Sequence, residues 1–320
     1  MSHEVENMFS VAQTPWHGLG TVVNQAPDAA TAINLAGLNW KVLENKISWH
    51  PNGQIDTVAG WKLLSRDTDN QVLGIVGENY HPLQNDKAFE FFNPFIESGL
   101  AQFETAGSLR QGKTVWILAK LNKTPIEISG GDRVEKFLLL SNGHDGTMAV
   151  RVGFTPIRVV CANTLAMSHA PGQSRLLRLF HSSRLSSRME QVQEIINAAD
   201  AKFEATAEQY RALAKSDVDQ KSLEAFVDIV FGYSDQLEAE RKNSRRQKMV
   251  EDITRLFETG RGQNLPGARG TFWGLYNSVT EYLSYEAGRS EATRLNALWF
   301  GQNKNLNQVA LDAATKLAVG

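Results

Sequence analysis

Two hydrophobic periods divide the chain. Up to about Val160, apolar residues alternate or run in short blocks between turn signals, which is the pattern of strands. After Ser187 they recur every three or four residues, the period of an amphipathic helix.

In the first part, Met1 to Gly20 reads as irregular and ends in Pro15-Trp-His-Gly-Leu-Gly20. Asp28 is placed to cap a short helix running to Gly37. Trp40 to Trp49, Val58 to Ser65 and Val72 to Val76 predict a three-stranded meander, with turns at Pro51-Asn-Gly53 and Asp67-Thr-Asp-Asn70. A helix from Asn85 to Ser98 follows, in which Pro94 predicts a kink or a restart and Gly99 the stop. Strands resume at Phe103, Val115 to Leu121, Val134 to Leu140 and Met148 to Val160, with turns at Gly112 and Asn142-Gly-His-Asp-Gly146.

In the second part, Ser187-Arg-Met-Glu190 has the spacing of a capping box and opens a long helix to about Leu213. Three more helices are expected over Leu223–Phe231, Leu237–Phe257 and Phe272–Ala287, and a weaker one over Leu306–Leu317. Strands first and helices afterwards is the α+β pattern: an antiparallel sheet with a helix in the N-terminal half, and a helical C-terminal half. The corresponding division is a mostly β domain over 1–183 and a helical region over 184–320, packed as one unit or two.

Charge changes this picture in one place. The 320 residues carry a formal charge of −2, so no global polyanion signal exists. Between Asp145 and Glu190, however, there is no acidic residue, and Arg151, Arg158, Arg175, Arg178, Arg184 and Arg188 all fall there. Arg175, Arg178, His181, Arg184 and Arg188 are spaced to form one stripe if the segment is helical. Arginine's planar fork suits phosphate oxygens, which makes these six the candidate nucleic-acid contacts, with Phe154 and Phe180 as candidate base-stacking partners. The bland alternative is a solvated face, or pairing with Glu190, Glu194, Asp200 and Glu204. A second basic run, Arg241 to Lys248, reads as a charged exterior face, and Arg261 and Arg269 sit in a glycine-rich connector.

Gly107-Ser-Leu-Arg-Gln-Gly-Lys-Thr114 matches the phosphate-loop consensus through Gly107, Gly112, Lys113 and Thr114. That chemistry requires a helix after the loop, whereas Val115-Trp-Ile-Leu118 favours a strand, so a hairpin is expected and a nucleotide-binding enzyme is the alternative. The seven histidines show no metal-ligand spacing, and Asn142 to Gly146 reads as turn chemistry, not a His–Asp catalytic pair. Lone Cys161 reads as a buried thiol, and fits a reducing cytoplasm. No signal peptide, membrane span, metal or cofactor is implied.

The chain resembles the phage/plasmid-like protein family, whose shared part is domain of unknown function nine-three-two. The resemblance rests on Pro15-Trp-His-Gly-Leu-Gly20, on Tyr80 with Leu83-Gln-Asn85, and on Thr105-Ala-Gly-Ser-Leu109 leading to Val115-Trp116. Its most specific stretch is Thr155-Pro-Ile-Arg-Val-Val-Cys-Ala-Asn-Thr-Leu165. It implies a phage, plasmid or integrative-element origin and no settled activity. The order of elements is also similar to that of phage single-strand annealing proteins. The expected function is non-enzymatic DNA binding, single strands favoured, in recombination or replication. A second copy of the chain is kept as a further partner, and a protein-interaction module against a host defence is the rival of another class.

Overall fold

A computed structural model describes residues 5–12, 20–122, 124–158, 163–164, 177–197, 200–233, 239–288, 294, 297–298 and 301–319. Its strands are antiparallel-rich and its helices lie mostly in the C-terminal half, which is the α+β arrangement. Two compact units emerge: Met1–Lys123, Phe137–Phe154 and Ser174–Ala198 make the first, and Thr124–Lys136, Thr155–Gln173 and Ala199–Gly320 the second. The expected division at 183/184 is linear, whereas these units interleave along the chain, because two long strands give residues to both.

In the first unit, β1 (Val5–Val11) pairs parallel with β2 (Thr21–Val23) and antiparallel with β6 (Ala101–Leu109). The run Met1 to Gly20 therefore holds a strand where irregular chain was expected. Met8, Phe9 and Val11 are buried, and three apolar anchors are enough to override a weak alternation. β7 (Thr114–Leu121) lies between β6 and the Phe137–Gly143 part of β9 (Asp132–Gly143). Val115 to Leu121 is an almost unbroken apolar run, and all of its residues but Lys120 are buried, as a central strand covered on both faces requires.

The expected meander is present as β3 (Val42–Trp49), β4 (Asp56–Arg66) and β5 (Val72–Gly77). Gly74 on β5 is required by packing: a Cβ there would sit 2.7 Å from Asp145 Cα. Helix α1 (Ala29–Leu35) is capped by Asp28, whose carboxylate accepts from Thr31 N at 2.7 Å. Pro94 does split the next helix, into α2 (Asn85–Glu90) and α3 (Asn93–Glu97).

In the second unit, β8 (Ile126–Ser129) pairs with Asp132–Val134 of β9, and β11 (Asn163–Thr164) pairs with the end of β10 (Val150–Arg158). Helices α5 (Asp200–Leu213), α6 (Gln220–Phe231), α7 (Ala239–Thr259), α8 (Phe272–Glu281) and α9 (Gln302–Val319) complete it. Every residue of α8 is buried, so this helix is the unit's core, followed by a π-helical turn over Tyr282–Glu286. Arg246 on α7 pairs with Asp228 and Glu224 of α6. No helix among the described residues is long and apolar enough to cross a membrane.

Candidate nucleic-acid interface

Leu177–Leu179 forms a short strand, β12, antiparallel to β10. This replaces the helix on which Arg175 to Arg188 would have shared one stripe. The reason is local: in strand alternation Leu179 turns inward to 6% exposure, opposite the fully buried Val150, while Arg178 turns outward. Arg175 lies outside the described residues.

The strand register sets Arg151 directly opposite Arg178. Like charges so placed repel, and Arg178's charge, after burial, helps to lower the pKa of the half-buried Arg151 guanidinium. Phe180, next along, is 66% exposed. The chain then enters α4 (Leu185–Asn197) through Arg184, whose carbonyl accepts from Arg188 N at 3.1 Å. Leu185 and Met189 take the buried side of α4, leaving Arg184 and Arg188 exposed one turn apart. The first turn of α4 holds no acid, so the positive end of its dipole adds to their field. Among the described residues, Arg178, Arg184 and Arg188 have no carboxylate partner.

Arg158 has the opposite environment. It is fully buried in the second unit, where its Nε lies 2.9 and 3.0 Å from the two Asp132 carboxylate oxygens. Its remaining nitrogens donate to Asp132 Oδ2 and to the carbonyls of Arg261 and Gly262. Trp273 Nε1 donates to the same carboxylate at 2.8 Å, and the guanidinium lies over the indole ring. No donor of Arg158 is placed to meet a phosphate, so it leaves the candidate set and becomes a structural residue.

A family model for a domain of unknown function (DUF932) matches residues 72–299. The chain belongs to this family. Neither a curated protein nor a solved structure matches it.

In this DUF932 protein, both the arginine strip and the Arg158 cluster fall inside the matched stretch, whereas β1 to β4 precede it. The segment from Tyr80 to Asn85 builds a polar knot beside the strip, half-buried at Tyr80 and His181 and fully buried at Asn85 and His144. Tyr80 stacks on His181 at 4.3 Å, and its hydroxyl donates to the Gly143 carbonyl. Burial, with Asp145 nearby, raises that phenol's pKa. His144 is fully buried, with Nε2 3.1 Å from Asn85 Oδ1, and burial pushes its pKa down to about 3. Asp145 instead pairs with Arg110 and accepts from Thr147 N and Oγ1. His144 and Asp145 therefore form no catalytic dyad. The Tyr80–His181 stack was not expected from the sequence, because it brings together residues about a hundred positions apart.

The consensus match at Gly107–Thr114 is a hairpin. Gly107 lies within β6 opposite Trp116, Leu109 pairs with Thr114, and Arg110, Gln111 and Gly112 all take positive φ in the turn. Lys113 N is bonded to the Arg110 carbonyl, and the Thr114 hydroxyl accepts from Arg110 Nη2. No helix opens after Lys113, so Gly107, Gly112, Lys113 and Thr114 do not make a phosphate-binding loop.

The capping box does not form either. α4 begins before Ser187, whose hydroxyl donates back to the Arg184 carbonyl. Phe154 is 6% exposed and is no stacking platform. Arg261 lies over the Tyr285 ring, with its amide bonded to Glu281. Cys161 lies outside the described residues. Among the described residues, no three His, Cys, Asp or Glu side chains gather as a metal site would need.

Proposed function

We propose that this protein binds DNA without acting on it chemically, in the recombination, replication or establishment of a phage, plasmid or integrative element. Single-stranded DNA is the favoured ligand. The observation that carries the reading is the cross-strand pair of Arg151 and Arg178, two like charges set opposite each other on adjacent strands. Arg184 and Arg188 continue the same positive field, and Phe180 offers an exposed ring within it. Arginine forks hold phosphate oxygens through paired hydrogen bonds, and neutralising phosphates releases counterions, which gives the affinity. The mobile-element setting rests on the family resemblance.

A gel shift at low salt, with single-stranded and duplex oligonucleotides in parallel, tests the proposal. Retardation of DNA that is lost on adding salt is the expected result. No retardation of either form would sink it.

A further inference from the structure

The sheet β3–β4–β5 has one covered and one bare face. Leu64, Leu73 and Val76 are buried, Leu64 and Val76 on its inner side, where Gly74 meets the Asp145 backbone. The strand register puts Leu43, Trp61, Val72 and Ile75 on the opposite side, at 40%, 54%, 44% and 55% exposure. Within the regular register the other side chains of that face are also uncharged: Asn45 is exposed, Leu63 half-buried and Ser65 buried, with Asn45 Nδ2 donating to Ser65 Oγ.

Trp61 is opposite Gly77, so no side chain crowds the indole from β5; a Cβ at Gly77 would meet nothing nearer than Gly60 O at 4.0 Å. The exit from β5 joins this face to the arginine strip. Gly77 O accepts from Tyr80 N, and Tyr80 stacks on His181. His81 N donates to His181 O at 3.1 Å, and His181 Nδ1 lies 3.1 Å from His81 O. Phe180 directly precedes His181 in the chain, and Arg178 lies two residues before Phe180.

We infer that this bare face is a base-stacking platform continuous with the arginine strip, and that its occupant is a single-stranded nucleic acid. A ligand reaching both surfaces needs regular negative charge on one side and flat apolar units on the other. Unpaired nucleotides supply both, whereas a duplex hides the faces of its bases. Phosphates lie along Arg151, Arg178, Arg184 and Arg188, while successive bases rest on Trp61 and its apolar neighbours. The inference rests on the DNA-binding reading above, and it adds the surface, and the residue at its centre, that would give that reading its preference for single strands.

The test uses the full chain with Trp61→Ala, Trp61→Phe and the Arg178→Ala/Arg188→Ala pair. Affinity for a labelled oligothymidylate and for a duplex of equal length is read by fluorescence anisotropy, and oligomeric state by light scattering. Trp61→Ala should weaken single-strand binding roughly tenfold and leave both the salt dependence and the duplex affinity unchanged. Trp61→Phe should retain most of the affinity. Wild-type single-strand affinity in Trp61→Ala, with the arginine pair weakened, overturns the platform and leaves the DNA-binding reading standing. A change of oligomeric state without loss of single-strand affinity makes the face a protein interface and also overturns it. Failure of the wild-type chain to bind either DNA overturns both.

Discussion

Arg151 and Arg158 occupy the same strand and come from the same acid-free stretch, but the fold gives them opposite environments. Arg158 is sealed against Asp132, two backbone carbonyls and Trp273. Arg151 has another arginine opposite it and stands beside an exposed strip. Local charge composition is the same for both; what differs is which distant segment packs over each. Asp132 is distant in sequence from Arg158, and the loop at Arg261–Gly262 is more distant still. A cationic stretch is thus part scaffold and part surface, and only tertiary contacts sort one from the other.

The sharpest way to break this comparison is to remove the acid from the sealed site. Asp132→Ala leaves a fully buried guanidinium without its counter-charge and Trp273 without an acceptor. The expected loss is about 3–5 kcal/mol in chemical denaturation. Arg178→Ala should change stability by about 0.5 kcal/mol or less, since nothing buried depends on it. Equal losses in the two variants would erase the distinction.

A second effect comes from the knot beside the strip. Burial holds the His144 pKa at about 3 in the fold, against 6.5 for an exposed imidazole. The unfolded chain therefore binds more protons between those values, so stability is fully present above 6.5 and declines as pH falls through the window. The slope from this one group is about 1.4 kcal/mol per pH unit. Comparing denaturation of the wild type and His144→Gln between pH 4.5 and 6.5 isolates it (pH limits chosen to lie roughly inside the window). An unchanged slope in the variant would show that His144 is not buried neutral.

The smallest expected effect belongs to Lys113→Ala. Lys113 sits in a hairpin turn with its amide bonded locally, so neither the wild type nor the variant should bind ATP, and the thermal midpoint should be unchanged. Equilibrium dialysis with labelled ATP checks it. Binding by the wild type that the variant loses would restore the nucleotide-loop alternative.

Much of this fold was legible in the sequence, and the misses share a physical cause. The meander, the Pro94 break, the strand after Lys113 and the C-terminal helices follow from alternation, proline geometry and helical period, all of which are local. β1 and β12 were missed because short strands are fixed by partners far along the chain: β6 for Met8 and Phe9, β10 for Leu179. Ser187 has capping-box spacing, but α4 starts earlier, and the Ser187 hydroxyl donates back to the Arg184 carbonyl instead of capping an amide. At the site, composition located the arginine stretch. It could not show that Arg158 is buried, that Arg178 opposes Arg151, or that Trp61 lies bare on a sheet connected to them. Those facts depend on register and packing.

The central claim is that Arg178 and Arg188 meet phosphates while Arg158 does not. The most direct measurement is the dependence of single-strand affinity on salt, read as the slope of log K against log salt. For Arg178→Ala/Arg188→Ala the slope should flatten by about 1.4, roughly 0.7 for each lost phosphate contact. A wild-type slope in that double variant would contradict the account.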